Sequence, residues 1–140
     1  MTPEVEEAIE DIRRRFKDCT VLVGPDKDGG ACVILEDVPL GAPYEQSHTW
    51  IGFHITHACP YADVYPHFMR GDLARADKKA LGESMTQNHQ FPQPGVVENN
   101  TIPPRPAVQV SRRSNKRDPQ SDLETPLIKL LKVLRWVMSR

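Results

Sequence analysis

The chain has 140 residues, of which 39% are hydrophobic and 26% are charged, and its formal net charge at pH 7 is −1. These values are typical of a globular protein, so we expect one domain over residues 1–140, and the charge balance by itself indicates no class of partner. No stretch approaches the roughly 20 apolar residues that a membrane span needs, which argues against a membrane-spanning protein.

The three cysteines are Cys19, Cys32 and Cys59, and none of them forms a CxxC pair. An odd number without paired spacing argues against a disulfide framework and favours a reducing compartment. The first residues, MTPEVEEAIEDIRRRF, are charged and amphipathic and lack the apolar run of a signal peptide. We therefore expect a cytoplasmic protein without membrane contact.

A helix is predicted over residues 3–17, because Thr2 offers a hydroxyl cap, Pro3 suits the first helical position and apolar residues then recur at helical spacing. Strands are predicted next over residues 19–24, 30–38 and 48–57. The connections between them are short, and one of them, PDKDGG, has typical turn residues. Short connections favour an antiparallel meander, and we expect the helix to pack on one face of it.

From residue 58 to residue 106 the apolar periodicity is lost and prolines are frequent. Residues 70–85 are compatible with a helix, although only weakly apolar. Residues 90–106, QFPQPGVVENNTIPPRP, hold enough apolar side chains to pack as an ordered loop. A short strand is predicted over residues 106–111, PAVQVS.

A second helix is predicted from Thr125 onward, where a threonine and a proline repeat the start of the first helix. Its apolar arc is wide, so we expect burial on more than one side, with Leu130, Leu131 and Leu134 in the core. Two helices around a meander and one further strand predict an α+β fold.

Charge is distributed unevenly along the chain. Residues 1–50 carry eleven acidic and five basic side chains, residues 51–140 carry eight and thirteen, and no acidic residue lies between Thr101 and Arg117. Such a segment suits phosphate or an acidic protein face. Three interpretations stay open for its cations: solvated surface charge, an acidic partner, or nucleic acid, which is disfavoured because no aromatic residue is interleaved. These cations are Arg105, Arg112, Arg113, Lys116 and Arg117.

Four stretches together resemble the ubiquitin-conjugating enzyme (UBC) family, and the C-terminal part of the chain resembles its bacterial members. They are GAPYEQSHTWIGFHIT, ACPYADVYPHF with Tyr65-Pro66, VENNTIPPRPAVQVS, and RDPQSDLETPLIKLLKVLRWV. The resemblance implies an N-terminal helix on an antiparallel meander sheet, a long proline-rich active-site loop and a C-terminal helix. It also implies a transferase that accepts a ubiquitin-like protein from an activating enzyme and passes it on.

The sequence departs from this family at the catalytic cysteine. Measured back from Pro119 and Thr125, that cysteine falls within residues 109–112, where this chain has Ser111. The His-Pro-Asn motif of the family is absent, and Asn100 or Asn99 is an approximate match for its asparagine. The resemblance thus implies that Ser111 accepts the C-terminus of the ubiquitin-like protein and holds it as an oxyester.

Two further groups are candidates for stabilising the oxyanion of that reaction. Asn100 could donate a hydrogen bond to it, and Arg112, with Arg113, could supply positive charge. The alternative is a catalytically inactive UBC-like module, with no nucleophile in this segment, that scaffolds a ubiquitin-like conjugation complex. Ser114 is a further candidate nucleophile.

Other side chains allow competing interpretations. Cys59 could be a nucleophile with His57 as its base, or a partly buried structural cysteine. His54, His57, Cys59 and His67 could suggest a metal, but H-x-x-H-x-C matches no standard zinc spacing, so we expect neither a metal nor a cofactor.

Overall fold

A computed structural model describes residues 1–114 and 124–140. The predictions that concern Lys116, Arg117 and Pro119 lie outside the described residues. The described part contains these elements in chain order: α1 (Pro3–Arg15), β1 (Val21–Pro25), β2 (Ala31–Pro39), β3 (His48–Ile55), β4 (His67–Arg70), β5 (Met85–Phe91), a 3-10 helix (Glu98–Asn100), β6 (Arg105–Val110) and α2 (Pro126–Met138). The six strands form one antiparallel sheet in the order β1-β2-β3-β4-β6-β5, which confirms the predicted α+β class.

Helix α1 begins as its sequence predicts. The Thr2 hydroxyl accepts a hydrogen bond from the Val5 backbone N–H at 3.2 Å, Pro3 occupies the first turn, and Arg13, Arg14 and Arg15 lie in the last turn. Capping and cations at the carboxyl end both stabilise a helix. The helix ends at Arg15, two residues earlier than expected, and its apolar stripe is buried.

The first three strands confirm the predicted meander. Val23 of β1 lies opposite Val33 of β2, which in turn lies opposite Phe53 of β3. The β1–β2 turn is held by Asp26, whose carboxylate accepts hydrogen bonds from the backbone N–H groups of Asp28 at 2.7 Å and Gly30 at 2.9 Å. Such aspartate-centred turns are a common way to close a hairpin.

The helix prediction for residues 70–85 is wrong. Arg75 pairs with Asp77 at 3.0 Å, and that carboxylate also accepts a hydrogen bond from the Lys79 backbone N–H. Bonds between residues two positions apart stabilise a turn, not a helix. Lys78 and Ser84 adopt φ values of 66° and 67°, which no α-helix contains.

The sheet has two differently covered faces. The face covered by α1 and α2, here called the helix face, holds the larger core. The opposite face, here called the loop face, is covered by residues 92–104, as the prediction of a packed loop requires. Val97 and Ile102 of this loop lie so close to Gly24 of β1 that a Cβ there would be 2.6 Å from Val97. The loop-face cluster is Cys32, Ile34, Phe68, Phe91, Val97, Ile102 and Ala107.

Helix α2 packs on the helix face beside α1. The Thr125 hydroxyl caps it by accepting a hydrogen bond from the Ile128 N–H at 3.2 Å. Leu130 and Leu134 are buried as predicted, but Leu131 is only half-buried, so its assignment to the core is wrong. The buried stripe follows a spacing of three and four residues, and Leu131 lies off it. The stripe is Pro126, Lys129, Leu130, Val133, Leu134 and Val137.

Within the described part of the chain, α1 and α2 each have 13 residues and neither could cross a bilayer.

Candidate functional site

Residues 111–114, here called the junction segment, leave β6 and run toward α2. Ser111 is the first of them. Its backbone N–H donates to the Ser84 carbonyl at 2.7 Å, and its hydroxyl accepts a hydrogen bond from the Gln109 side chain at 3.1 Å. Because Val110 points into the helix-face core, the Gln109 and Ser111 side chains share the other side of the strand. Among the described residues, no acid or base contacts the Ser111 hydroxyl.

Asn100, the predicted oxyanion donor, is not brought near Ser111. It is exposed and ends the 3-10 helix over Glu98–Asn100, which packs against β1. Strands β2, β3 and β4 separate β1 from β6. At a strand spacing of about 4.8 Å, this corresponds to a separation of roughly 19 Å between β1 and β6. Asn99 lies in the same 3-10 helix, so neither asparagine can donate to a group on Ser111.

The two arginines of the junction segment lie on aromatic rings. The Arg112 guanidinium carbon is 4.5 Å from the ring centre of Trp136 on α2, and that of Arg113 is 4.0 Å from the ring of Tyr65. Arg140 also contacts Trp136, at 4.4 Å. Cation–π contacts of this kind hold a guanidinium in place without neutralising it. The predicted role of Arg112 at a Ser111 oxyanion therefore has no direct contact to support it.

Ser114 ends the segment in a network of charged groups. Lys129 donates hydrogen bonds to the Ser114 hydroxyl and to Asp63 Oδ1, both at 2.8 Å. The hydroxyl in turn donates to Glu124 Oε1 at 2.7 Å, and the Ser114 N–H donates to Asp63 Oδ2 at 2.8 Å. Lys132 pairs with the second Glu124 oxygen at 2.7 Å. The network joins the junction segment, α2 and the loop before β4.

The network determines the ionisation of its carboxylates. Burial alone raises the pKa of Asp63, but the hydrogen bonds from Lys129 and from the Ser114 N–H outweigh it and lower that pKa below 3.8. The same opposition acts on Glu124, where burial is outweighed by hydrogen bonds from Lys132 and Ser114, so the pKa lies below 4.5. A carboxylate with a lowered pKa is a weak general base toward the serine hydroxyl.

His67 lies beneath this network. It is fully buried on the helix face, with its ring 5.3 Å from that of Phe53. Neither ring nitrogen has a hydrogen-bond partner among the described residues. Burial, and secondarily the charge of Lys129, lowers the pKa of His67 from 6.5 to about 3. The imidazole is therefore neutral at physiological pH.

A small depression lies at the surface of the network, and we call it the notch. It has a volume of about 130 Å³. Its lining is Arg112, Arg113, Ser114, Lys129, Lys132, Val133 and Trp136. Of these residues, the sequence indicated only the first three. Lys129 did leave a signal, since a lysine at a position of the apolar stripe of a helix predicts a buried partner.

None of the three thiols has the environment of a nucleophile. Cys59 is buried, its Sγ is 3.9 Å from the Glu4 carbonyl, and its pKa is raised by burial and then by Glu4 and Glu7. Burial also raises the pKa of Cys32 to about 12 and, with Asp37 and Asp18, that of Cys19. The thiolate is the reactive form of cysteine, and a raised pKa lowers the thiolate fraction of all three.

The predicted histidine candidates are separated. His54 bonds through Nε2 to Asp26 Oδ2 at 2.6 Å, His57 is exposed, and His67 is buried in the core. Among residues 1–114 and 124–140, no three histidine, cysteine or acidic side chains are arranged to hold a metal ion.

A depression of about 690 Å³ lies beside Arg105 and Trp50. The two terminal guanidinium nitrogens of Arg105, Nη1 and Nη2, donate to Glu36 at 2.8 and 2.9 Å. The guanidinium carbon lies 5.4 Å from the Trp50 ring centre. Arg105 is thus neutralised by Glu36, whereas within the described residues no carboxylate bonds to Arg112 or Arg113. It does not contribute a free charge for a ligand.

Comparisons of the chain with protein-family models, with curated proteins and with solved structures found no match.

Proposed function

We propose that this chain is a UBC-like binding module that takes part in ubiquitin-like conjugation without forming a covalent intermediate. The resemblance of its sequence motifs to the UBC family supports the first half of this proposal. The order of the elements is compatible with it: α1, the β1–β3 meander, Tyr65-Pro66, β4, a proline-rich loop, β6 and α2. Strand β5, inserted before that loop, is a departure from the expected order.

One observation carries the second half of the proposal. The Ser111 hydroxyl, which chain spacing aligns with the cysteine of the family, bonds to the Gln109 amide, and no acid or base within the described residues reaches it. A serine hydroxyl is a weak nucleophile unless a base removes its proton. The expected oxyanion donor, Asn100, lies near the opposite edge of the sheet. The partners of such a module are a ubiquitin-like protein and its activating enzyme.

A second candidate function is the serine oxyester carrier, and one contact favours it at Ser114 over Ser111. Lys129 Nζ lies 2.8 Å from the Ser114 hydroxyl, and serine–lysine pairs are a known arrangement for nucleophilic catalysis. Against this candidate, Lys129 is also bonded to Asp63, and the hydroxyl proton is directed at Glu124. These bonds describe a structural network in which the lysine serves as a cation.

Incubation with the ubiquitin-like protein and the activating enzyme of the source organism, with ATP, distinguishes the candidates. The binding module gives a complex by size-exclusion chromatography and no adduct by intact mass spectrometry. A carrier gives an adduct that resists thiol reductant and is cleaved by alkali. Loss of that adduct in Ser111→Ala or in Ser114→Ala would identify the acceptor and overturn the proposal.

A further inference from the structure

Within the described part of the chain, the cations around the notch outnumber the carboxylates that are bonded to them. The two lysines of the notch are paired, Lys129 with Asp63 and Lys132 with Glu124. Within the described residues, no carboxylate bonds to Arg112, Arg113 or Arg140. Arg112 and Arg140 lie over the Trp136 ring and Arg113 lies over the Tyr65 ring. This positive charge beside the notch suits an anionic ligand from outside.

The geometry of these arginines suits oxyanions. A guanidinium carries its N–H donors in a planar fork, and stacking on a ring leaves the edge of that fork available. The Arg112 guanidinium lies over Trp136 and that of Arg113 over Tyr65. Arg140 also lies over Trp136, but one of its N–H groups donates to the Leu81 carbonyl at 3.2 Å. A side chain held by a ring has also lost part of its freedom before a ligand arrives, which lowers the entropic cost of binding.

The apolar part of the notch favours a peptide over nucleic acid. Val133 and Trp136 form one wall. On the exposed side of α2, Ile128 is 44% exposed and lies one helical turn before Lys132, which lines the notch. A surface that combines apolar side chains with arginines that no described carboxylate pairs matches an acidic segment that also carries aliphatic residues.

We propose that the notch between the junction segment and α2 is a docking site for an acidic, partly apolar peptide segment of a partner protein, with side-chain carboxylates bound by Arg112 and Arg113. The site does not depend on the proposed function, because the observations that support it are the arginines, Trp136 and the exposed side of α2 among the described residues. An activating enzyme or a ubiquitin-like protein is not required to test it.

The probe is a fluorescein-labelled peptide of three Glu-Glu-Leu repeats, with three Gln-Gln-Leu repeats as its uncharged counterpart, titrated with the full chain and followed by fluorescence anisotropy. Arg112→Gln/Arg113→Gln should weaken binding at least tenfold. The matched control is Arg13→Gln/Arg14→Gln, which removes the same charge from an adjacent arginine pair on α1 and should change affinity less than twofold. Arg112→Lys, which keeps the charge and loses the fork, should fall between the two.

The place where the peptide binds is tested by the indole N–H signals of Trp50 and Trp136 in an NMR spectrum, which are assigned with Trp136→Phe. The acidic peptide should shift the Trp136 signal and leave that of Trp50 in place. Urea midpoints of all variants establish that each is folded. The site would be overturned if the wild-type chain did not bind the acidic peptide, or if the glutamine peptide bound equally well. It would also be overturned if both double arginine variants lost the same affinity, or if oligothymidylate bound more tightly than the peptide and shifted the Trp136 signal.

Discussion

Ser111 and Ser114 stand three residues apart on the junction segment, yet their hydroxyls bond to different parts of the molecule. The Ser111 hydroxyl accepts from Gln109 on the side of β6 that faces away from the helices. The Ser114 hydroxyl lies between Lys129 and Glu124 beside α2. Counting residues back from the last helix locates this segment, but it does not reveal which serine meets charged groups, because the chain changes sides between the two.

The Ser114 environment requires that α2 is firmly docked on the sheet. Leu130, adjacent to Lys129, is fully buried, so Leu130→Ala should lower the free energy of unfolding by about 2–5 kcal/mol. Leu131→Ala is the matched control and should cost about 1 kcal/mol or less, because Leu131 is half-buried. Urea unfolding measures both. Equal costs at the two positions would mean that α2 is rotated from the packing described.

The second test removes the carboxylate that balances Lys129. Asp63→Ala leaves a lysine that is 3% exposed without its ion-pair partner, and the free energy of unfolding should fall by about 3 kcal/mol. Asp63→Ala/Lys129→Met removes both charges and should recover most of that loss. If the double variant were no more stable than the single one in urea, the pair would not be buried as described.

The third test uses pH. The pKa of His67 is about 3 in the folded chain, whereas an unperturbed histidine, as in the unfolded chain, has a pKa of 6.5. Below pH 6.5 the unfolded chain therefore binds a proton at His67 that the folded chain does not. Stability therefore falls as the pH falls below about 6.5, by about 2 kcal/mol at pH 5. The carboxylates with lowered pKa values lose their contribution only at still lower pH.

His67→Leu should remove most of this slope between about pH 7.5 and pH 5, whereas His57→Gln, at an exposed histidine, should keep it. Urea unfolding at each pH provides the measurement. A slope that survives His67→Leu would assign the pH dependence to other groups.

The smallest expected effect compares the two serines directly. Ser114→Ala removes hydrogen bonds to charged partners and should cost about 1–2 kcal/mol. Ser111→Ala removes one hydrogen bond from a neutral amide and should cost about 0.5 kcal/mol. A larger loss at Ser111 than at Ser114, measured by urea midpoints, would reverse the comparison.

The parts of the fold that could be predicted are those whose burial follows a local period. The helix α1 and strands β1–β3 combine such a period with capping or turn residues. Strand β5 was missed because it is an edge strand whose five central residues are polar and mostly exposed, so that only Met85 and Phe91 mark its ends. Strand β4 has only four residues, too few to establish an alternation.

The candidate site was harder to predict because its contacts join distant parts of the chain. Asp63 and Lys129 are 66 residues apart, and no local pattern connects them. The alignment of Ser111 with the family's cysteine rested on a count along the chain. Whether Asn100 comes close to Ser111 depends instead on the path of the loop over the sheet. That loop lies against β1, which removes Asn100 from the serine.

The central claim is that the chain binds its partners without forming a covalent intermediate. Intact mass spectrometry after incubation with the ubiquitin-like protein, the activating enzyme and ATP tests it most directly, with Ser111→Ala and Ser111→Cys run in parallel. The account predicts an unchanged mass for the wild-type chain and for Ser111→Ala while the complex still forms. A wild-type mass increased by one ubiquitin-like protein, stable to thiol reductant and absent in Ser111→Ala, would contradict it.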